Sequence, residues 1–383
     1  MERVKLAIST WNEQEYDAIQ AVIDSGNFTM GKKVNEFEKA FSKYIGKKYS
    51  VMVNSGSSAN LLMVYSLIIE GKLNKGDEVI VPAVSWSTTF SPLQQFGLKL
   101  KFIDIDLKTL NLDLNILEQA ITSKTKAIFL VNLLGNPVDI DRVESICHNK
   151  DIVLLEDNCE SLGAEIKGRK TGNFGYVSSH SFFFSHHIST MEGGMISTDS
   201  EELFYILKSL RAHGWTRDLP LDSSLYTKSK DSFYELFNFI MPGFNVRPLE
   251  MSGAIGVEQL KKLDSLVKER QKNAKFFKKI FNETNQIIIQ QENGKSSWFG
   301  FSLINRNKNI SSTSFREKLL ALGFEIRPIV AGNFLRNKAI EYFDYEVFGE
   351  MNNADFLHDN GVFIGNNSID ITHNLKRLEK LLA

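Results

Sequence analysis

Cysteine is scarce in this sequence: the 383 residues include two, Cys147 and Cys159. Two thiols cannot build the disulfide framework that stabilises small secreted domains. They are also too few to hold an iron–sulfur cluster without other ligands. A disulfide-stapled fold and an iron–sulfur enzyme are therefore excluded, and we expect no metal site.

Long apolar runs are absent as well. The most apolar runs, such as residues 127–134, are far shorter than the roughly 20 residues that span a bilayer. Residues 1–6 lack the apolar core that a signal peptide requires. We therefore expect a cytoplasmic protein with no membrane partner.

Neither sign of charge is in excess. Lys and Arg total 45 and Asp and Glu total 46, so the formal net charge is −1. Such a chain gives no reason to expect nucleic acid as a partner. With 43% hydrophobic and 24% charged residues, the composition is that of a globular enzyme or binding protein.

Strand and helix patterns alternate along the first half of the chain. Short apolar runs at 49–53, 78–82, 99–105, 127–132 and 152–155 predict strands, and helical spacing at 12–26, 34–44, 113–122 and 139–149 predicts helices. This alternation predicts a mostly parallel sheet with right-handed crossovers. From about residue 286, short strand patterns at 287–290, 298–304 and 324–329 alternate with short helices. We expect a large α/β domain over residues 1–283 and a small α+β domain over residues 284–383.

Residues 181–194 concentrate the polar chemistry of the chain. Their aromatic run, 182–184, predicts a buried strand, and His186, His187, Glu192 and a glycine pair follow it. Polar groups at the carboxyl end of a buried strand are where α/β sheets form their ligand crevice. Taken alone, the adjacent His186 and His187 are better explained as solvated histidines at a strand end.

Other predicted strands end in comparable polar segments. Residues 54–60 could bind a phosphate at a helix N-terminus, or simply cap that helix. Trp86 could stack on a planar ligand or belong to the core. The acidic pair 156–157 needs a cationic partner, either an arginine or a protonated heterocycle. The loop at 27–32 is best explained, alone, as a connector.

Taken together, these motifs resemble the DegT/StrS family of pyridoxal-phosphate nucleotide-sugar enzymes. The resemblance covers essentially the whole chain, and it rests on motifs that occur in family order: 55–57, Trp86, 156–157, Ser181, 192–194 and 243–247. It implies the aspartate-aminotransferase-like fold (fold type I), with a large domain of the seven-stranded type and a small C-terminal domain. It also implies a homodimer with shared active sites.

The resemblance implies pyridoxal 5′-phosphate, or its pyridoxamine form, as cofactor. The implied cofactor-binding residues are Gly56, Ser57, Trp86, Asp157, Glu160, Ser181 and Asn245. Ser57 and Ser181 would hold the phosphate, which Asn245 would reach from the other subunit. Trp86 would stack on the pyridine ring and Asp157 would keep its nitrogen protonated. Many family members have Gln where this chain has Glu160, and the role of that carboxylate stays open.

One position departs from the family pattern. Family aminotransferases have a lysine that binds the cofactor covalently at the position of His186. An imidazole cannot form that bond, but it can move protons near neutral pH. Residues 185–194 and 211–217 resemble family members that remove the C3 hydroxyl of GDP-4-keto-6-deoxymannose, in colitose and O-antigen biosynthesis. That chemistry uses L-glutamate as amino donor and releases ammonia and 2-oxoglutarate.

His186 is therefore the expected catalytic base. The expected substrate-binding residues are Phe28, Thr29, Met30, Gly31, His213, Arg217, Arg247 and Glu325. Two alternatives stay open: a nucleotide-sugar 4-aminotransferase that uses another lysine, and a catalytically inactive regulator.

Overall fold

The structure is a computed structural model of the chain, and it describes residues 3–281 and 284–382. Its strands are, in chain order, β1 (Tyr49–Val53), β2 (Glu78–Pro82), β3 (Lys99–Ile103), β4 (Thr125–Val131), β5 (Val153–Asp157), β6 (Glu165–Ile166), β7 (Arg169–Lys170), β8 (Val177–Ser181), β9 (Gly194–Thr198), β10 (Ile287–Ile289), β11 (Gly300–Asn305), β12 (Ile326–Arg327), β13 (Tyr345–Phe348) and β14 (Gly361–Gly365).

The α-helices of the described residues are α1 (Glu13–Ser25), α2 (Lys32–Ile45), α3 (Gly56–Ile69), α4 (Ser87–Gln95), α5 (Leu114–Ala120), α6 (Ile140–Lys150), α7 (Glu201–Leu210), α8 (Ser232–Glu235), α9 (Glu250–Phe281), α10 (Ser312–Ala321), α11 (Asn352–Asn360) and α12 (Thr372–Leu375). None of them combines the length and apolar character that crossing a bilayer requires.

The large sheet has the strand order β1-β9-β8-β5-β4-β2-β3-β13. Its strands are parallel except β9, which runs antiparallel to β1 and β8. The predicted mostly parallel α/β sheet is confirmed. The sheet has eight strands rather than seven, because β13 adds to the edge beside β3, where Glu346 pairs with Lys99 at 3.3 Å.

Helices cover both faces of this sheet. Val79 and Val81 of β2 point to a core that includes Leu62 of α3 and Phe90 of α4. Ile80, between them in sequence, points to the opposite core, which α5 and α6 close. Because strand side chains alternate between faces, apolar residues at every position bury both faces. Because the strands are parallel, their carboxyl ends lie together at one edge of the sheet, which the helices on the two faces do not cover.

The second sheet has the order β10-β11-β14-β12 and is antiparallel throughout. It packs on the C-terminal half of α9, where Phe277 stacks on Phe301 with ring centroids 4.1 Å apart. The N-terminal half of α9 lies against α2, so closely that a Cβ on Gly253 would stand 2.6 Å from Val34 N. One helix therefore connects the two sheets. The predicted domain boundary, between residues 283 and 284, adjoins residues 282–283, which lie outside the described residues, and it stays a prediction.

The prediction that the aromatic run 182–184 forms a strand is wrong. The strand is β8, which ends at Ser181, and Phe183 and Phe184 are 45% and 48% exposed. The five residues of β8 are buried although three are serines, because the hydroxyls bond internally: Ser179 Oγ donates to Asn60 Oδ1 at 2.5 Å. Small polar residues that satisfy one another in this way leave no apolar pattern in the sequence.

Candidate active site

A cavity of 370 Å³ lies where β1, β2, β5 and β8 end. It brings together residues from segments far apart in sequence, and seven predicted site residues line it: Gly56, Ser57, Trp86, Asp157, Glu160, Ser181 and His186. The predicted crevice at the carboxyl ends of the strands is therefore present. Asn245, the other predicted cofactor residue, does not line it.

One end of the cavity is the N-terminus of α3. Ser55 caps the helix, its hydroxyl accepting from Ser58 N at 3.0 Å. Gly56 is required sterically, because a Cβ there would stand 2.5 Å from the Cβ of Ser181. Gly194 is required for the same reason, since its Cβ would stand 2.3 Å from Ser55 O. The first-turn N–H groups and the positive end of the helix dipole suit an anionic group.

Another side of the cavity holds the buried carboxylate of Asp157. Its Oδ2 accepts from Asn60 Nδ2 and from Thr89 Oγ1, both at 2.9 Å, and its Oδ1 accepts from Cys159 N at 3.1 Å. These donors are neutral, and no cation of the described residues forms an ion pair with Asp157. A buried carboxylate without a cation suits a ligand that brings one.

Trp86 supplies an aromatic surface to the same cavity. It stands at the N-cap of α4, directly after the β2 segment, and is 56% exposed. An indole so exposed at a cavity is available to stack on a flat ligand.

His186 and His187 occupy different environments. His186 lines the cavity, and its Nδ1 hydrogen-bonds to the carbonyl of Cys159. Nδ1 therefore carries the hydrogen, and Nε2 has no partner among the described residues. His187 is buried and directs Nε2 to Ser297 O at 3.2 Å. The imidazole available for chemistry is His186.

The cavity wall keeps His186 neutral. Its pKa is lowered to about 4, chiefly by burial, and the charges of Arg327 and Arg270 act in the same direction. The hydrogen bond to Cys159 and the charge of Asp157 act in the opposite direction. At pH 7 the ring is therefore neutral, with the Nε2 lone pair available.

Glu160 and Arg327 both line the cavity. Glu160 Oε2 accepts from Leu134 N at 3.1 Å; burial raises the pKa of this carboxyl and the charge of Arg327 opposes the rise. The sequence interpretation missed Arg327. Its guanidinium lies 4.3 Å from the centroid of Phe363, and its Nε is buried without a hydrogen-bond partner. The only signal was a charged residue inside the short strand pattern 324–329.

A second, smaller cavity of 100 Å³ collects four of the predicted substrate residues: Thr29, Met30, Arg217 and Arg247. Asn245 lies beside it, since its Oδ1 accepts from Arg247 Nε at 3.0 Å.

Four other predicted substrate residues line neither cavity. His213 and Phe28 are exposed, and Gly31 N donates to Glu250 Oε2 at 2.6 Å. Glu325 Oε2 accepts from Leu6 N at 3.1 Å, so its carboxylate already has a structural partner. Their roles in substrate binding stay predictions.

Comparisons with known proteins point to one family. A model described as the DegT/DnrJ/EryC1/StrS aminotransferase family matches residues 9–364. The chain is 55% identical, over 382 residues, to a GDP-4-keto-6-deoxy-D-mannose 3-dehydratase of Yersinia pseudotuberculosis, with 98% of this chain and 97% of that protein covered.

Two solved structures show the same similarity. One is GDP-4-keto-6-deoxymannose-3-dehydratase with a trapped PLP-glutamate geminal diamine, at 51% identity and a TM-score of 0.97 over 99% of each chain. The other is the E. coli enzyme with bound hydrated PLP, at 51% identity and a TM-score of 0.98 over 100% of each chain. The predicted aspartate-aminotransferase-like fold is confirmed, and the chain belongs to the DegT/DnrJ/EryC1/StrS aminotransferase family.

Proposed function

We propose that the chain removes the C3 hydroxyl from GDP-4-keto-6-deoxy-D-mannose to give GDP-4-keto-3,6-dideoxy-mannose, with L-glutamate as amino donor and release of ammonia and 2-oxoglutarate. The observation that carries this proposal is the imidazole of His186. None of the described residues that line the cavity is a lysine. A base without a primary amine can move a proton but cannot exchange nitrogen with a cofactor, which favours dehydration over amination.

The donor set of the cavity fits pyridoxal 5′-phosphate and its pyridoxamine form. Gly56, Ser57 and Ser181 would hold the phosphate at the N-terminus of α3. Asp157, which lacks a cationic partner in the described chain, would pair with the pyridine nitrogen, and Trp86 would cover the ring. When bound, this cofactor supplies an amine for the C4 ketone and a protonated ring that accepts electrons.

His186 would act at Nε2, because Nδ1–H is held by the Cys159 carbonyl. As a neutral imidazole it can take up a proton at Nε2. Its pKa of about 4 makes the protonated form more acidic than an ordinary imidazolium, so it can give that proton to the departing C3 hydroxyl, which leaves as water. The same atom thus serves first as base and then as acid.

Arg327 would bind a carboxylate of glutamate. Its Nε is buried in the cavity wall without a partner, and its guanidinium has no ion pair with a described carboxylate. A planar guanidinium suits two parallel bonds to a carboxylate. Arg327 thus supplies the positive charge that a glutamate carboxylate needs in a cavity that already contains the carboxylates of Asp157 and Glu160.

The second cavity would hold the diphosphate of the nucleotide sugar. Arg217 and Arg247 both line it, and arginine suits the bidentate contacts that phosphate oxygens accept. The Arg217 guanidinium lies 5.1 Å from the ring of Trp215, which limits its freedom to turn away. Soluble substrates of this kind fit a cytoplasmic enzyme.

We also propose a homodimer with shared sites. Residues 216–242 expose an aromatic surface, formed by Leu221, Phe233, Tyr234, Leu236, Phe237 and Phe239, each 53–79% exposed. Apolar patches of this kind usually mark an interface. Asn245 lies outside the cofactor cavity of its own chain, which supports its predicted reach to the partner's cofactor.

His186→Asn should abolish sugar turnover while the cofactor stays bound. An amide nitrogen cannot accept a proton, so ammonia release should fall on the order of 10²–10⁴-fold. The matched control is His148→Asn, the same change at an exposed residue of α6 that lines no part of the cofactor cavity. Equal rates for the two variants would remove His186 from the mechanism.

Arg327→Met should raise the glutamate concentration needed for half-maximal formation of 2-oxoglutarate, on the order of 10–100-fold, because a charged hydrogen-bond donor is lost. Arg327→Lys should recover part of the loss, since it restores the charge without the planar fork. The measurement is 2-oxoglutarate formed in a single turnover. Unchanged glutamate saturation in the Met variant would show that another group binds the donor.

Asn245→Ala and His186→Asn protomers should complement each other when mixed, because one site of each heterodimer regains both native residues. Random exchange at equal amounts should restore roughly a quarter of the wild-type rate. The two variants, taken separately through the same exchange, are the controls. Heterodimer seen by native mass spectrometry without recovered activity would mean that each site is self-contained.

A further inference from the structure

Arg270 is a buried cation that has no counter-ion among the described residues. It lies on α9, is 4% exposed, and forms no ion pair with a described carboxylate. Its donors go to neutral acceptors: Nε to Ser368 Oγ at 3.1 Å, and Nη1 to Phe299 O at 2.9 Å and to the carbonyl of Asn366. Burial lowers its pKa to about 10, which leaves it charged at pH 7. Burying a charge in this way is costly, so packing alone does not account for it.

One of these bonds, to Phe299 O, holds a strained segment of backbone, residues 297–299. Trp298, in its centre, has φ of 48°, in the left-handed region that a bulky residue rarely adopts. On the side away from Arg270, Ser297 N donates to Gly135 O at 2.9 Å and Phe299 N donates to Leu134 O at 3.0 Å. The segment is thus held from both sides, and strain of this kind persists only where the surroundings fix it.

The held segment contacts both histidines. The Phe299 ring centroid lies 5.2 Å from that of His186 and 5.7 Å from that of His187. Ser297 O is the partner of His187 Nε2 at 3.2 Å. Phe299 also lines the cofactor cavity, whereas Arg270 does not.

We propose that Arg270 is a positioning residue for His186: by holding residues 297–299, it fixes the Phe299 wall against which the imidazole packs. The effect on turnover rests on the proposed function, whereas the effect on the imidazole itself does not. The charged and titratable groups that line the same cavity as His186 or act on its charge are Asp157, Cys159, Glu160, His187, Glu192, Arg270 and Arg327. Loss of Arg270 removes a positive charge and loosens the wall, and both changes favour the protonated ring.

The test measures carbethoxylation of His186 by diethylpyrocarbonate, which reacts with neutral imidazole, followed by peptide mass spectrometry. In the wild-type protein the rate should be nearly equal at about pH 5.5 and about pH 7.5, because the ring stays neutral over that range. In Arg270→Met the rate at the lower pH should fall at least about twofold relative to the higher pH. Arg270→Lys keeps the charge, so its ratio of carbethoxylation rates at the two pH values should lie between those of the wild type and Arg270→Met. Turnover by Arg270→Met should fall about tenfold with cofactor content unchanged.

The matched control is Lys262→Met. Lys262 lies on the same helix and pairs with the buried Glu15 at 2.6 Å, so this variant also removes a cation that a buried group needs, without touching residues 297–299. In Lys262→Met the ratio of His186 carbethoxylation rates at the two pH values should equal that of the wild type. If Arg270→Met does not fold, Phe299→Leu removes the wall directly and should change the ratio in the same direction. A wild-type ratio in folded Arg270→Met, or in Phe299→Leu, would overturn the proposal. Failure of the wild-type protein to release ammonia would instead count against the proposed function.

Discussion

The hydrogen bond from His186 Nδ1 to the Cys159 carbonyl is the interaction on which the site depends. It joins the end of β5, where Asp157 lies, to the loop after β8, where His186 lies. It also decides which nitrogen of the ring carries the hydrogen, because a carbonyl accepts only from N–H. Without this bond the imidazole could turn away from the cavity or present a hydrogen where the proposed reaction needs a lone pair.

The parallel sheet makes this junction possible. β5 and β8 are neighbours that end at the same edge, so Asp157 and Ser181 come together although 24 positions separate them in sequence. The second domain completes the cavity from the other side with Arg327 of β12 and with Phe299, which directly precedes β11. Asp157 and Arg327, which carry opposite charges, thus come from separate sheets. Helix α9 connects the two sheets and fixes their relative position.

The sequence predicted what depends on neighbours along the chain. Strand ends followed by small polar or acidic residues marked the segments 54–60, 83–89 and 156–157, because the ends of parallel strands meet at one edge. The family resemblance then singled out Ser57, Trp86 and Asp157 within them. The local residue pattern could not choose between His186 and His187, because the carbonyls that orient them belong to Cys159 and Ser297, 27 and 110 positions away. The family resemblance made that choice, since it places His186 at the position of the family lysine.

Two further features depend on distant partners. Strand β8 was missed because buried serines satisfied by Asn60 lack an apolar pattern. Arg327 was missed because its place beside Glu160 follows from the packing of the two sheets, which no local spacing encodes.

The central claim is that this site dehydrates a sugar instead of aminating it, because His186 stands where an amine would be needed. The most direct measurement follows the nitrogen of ¹⁵N-labelled glutamate through turnover of GDP-4-keto-6-deoxy-D-mannose. The account predicts that the label appears in ammonium, in an amount equal to the 2-oxoglutarate formed, and that the sugar loses one oxygen without gaining nitrogen. Label recovered in an amino sugar would contradict it.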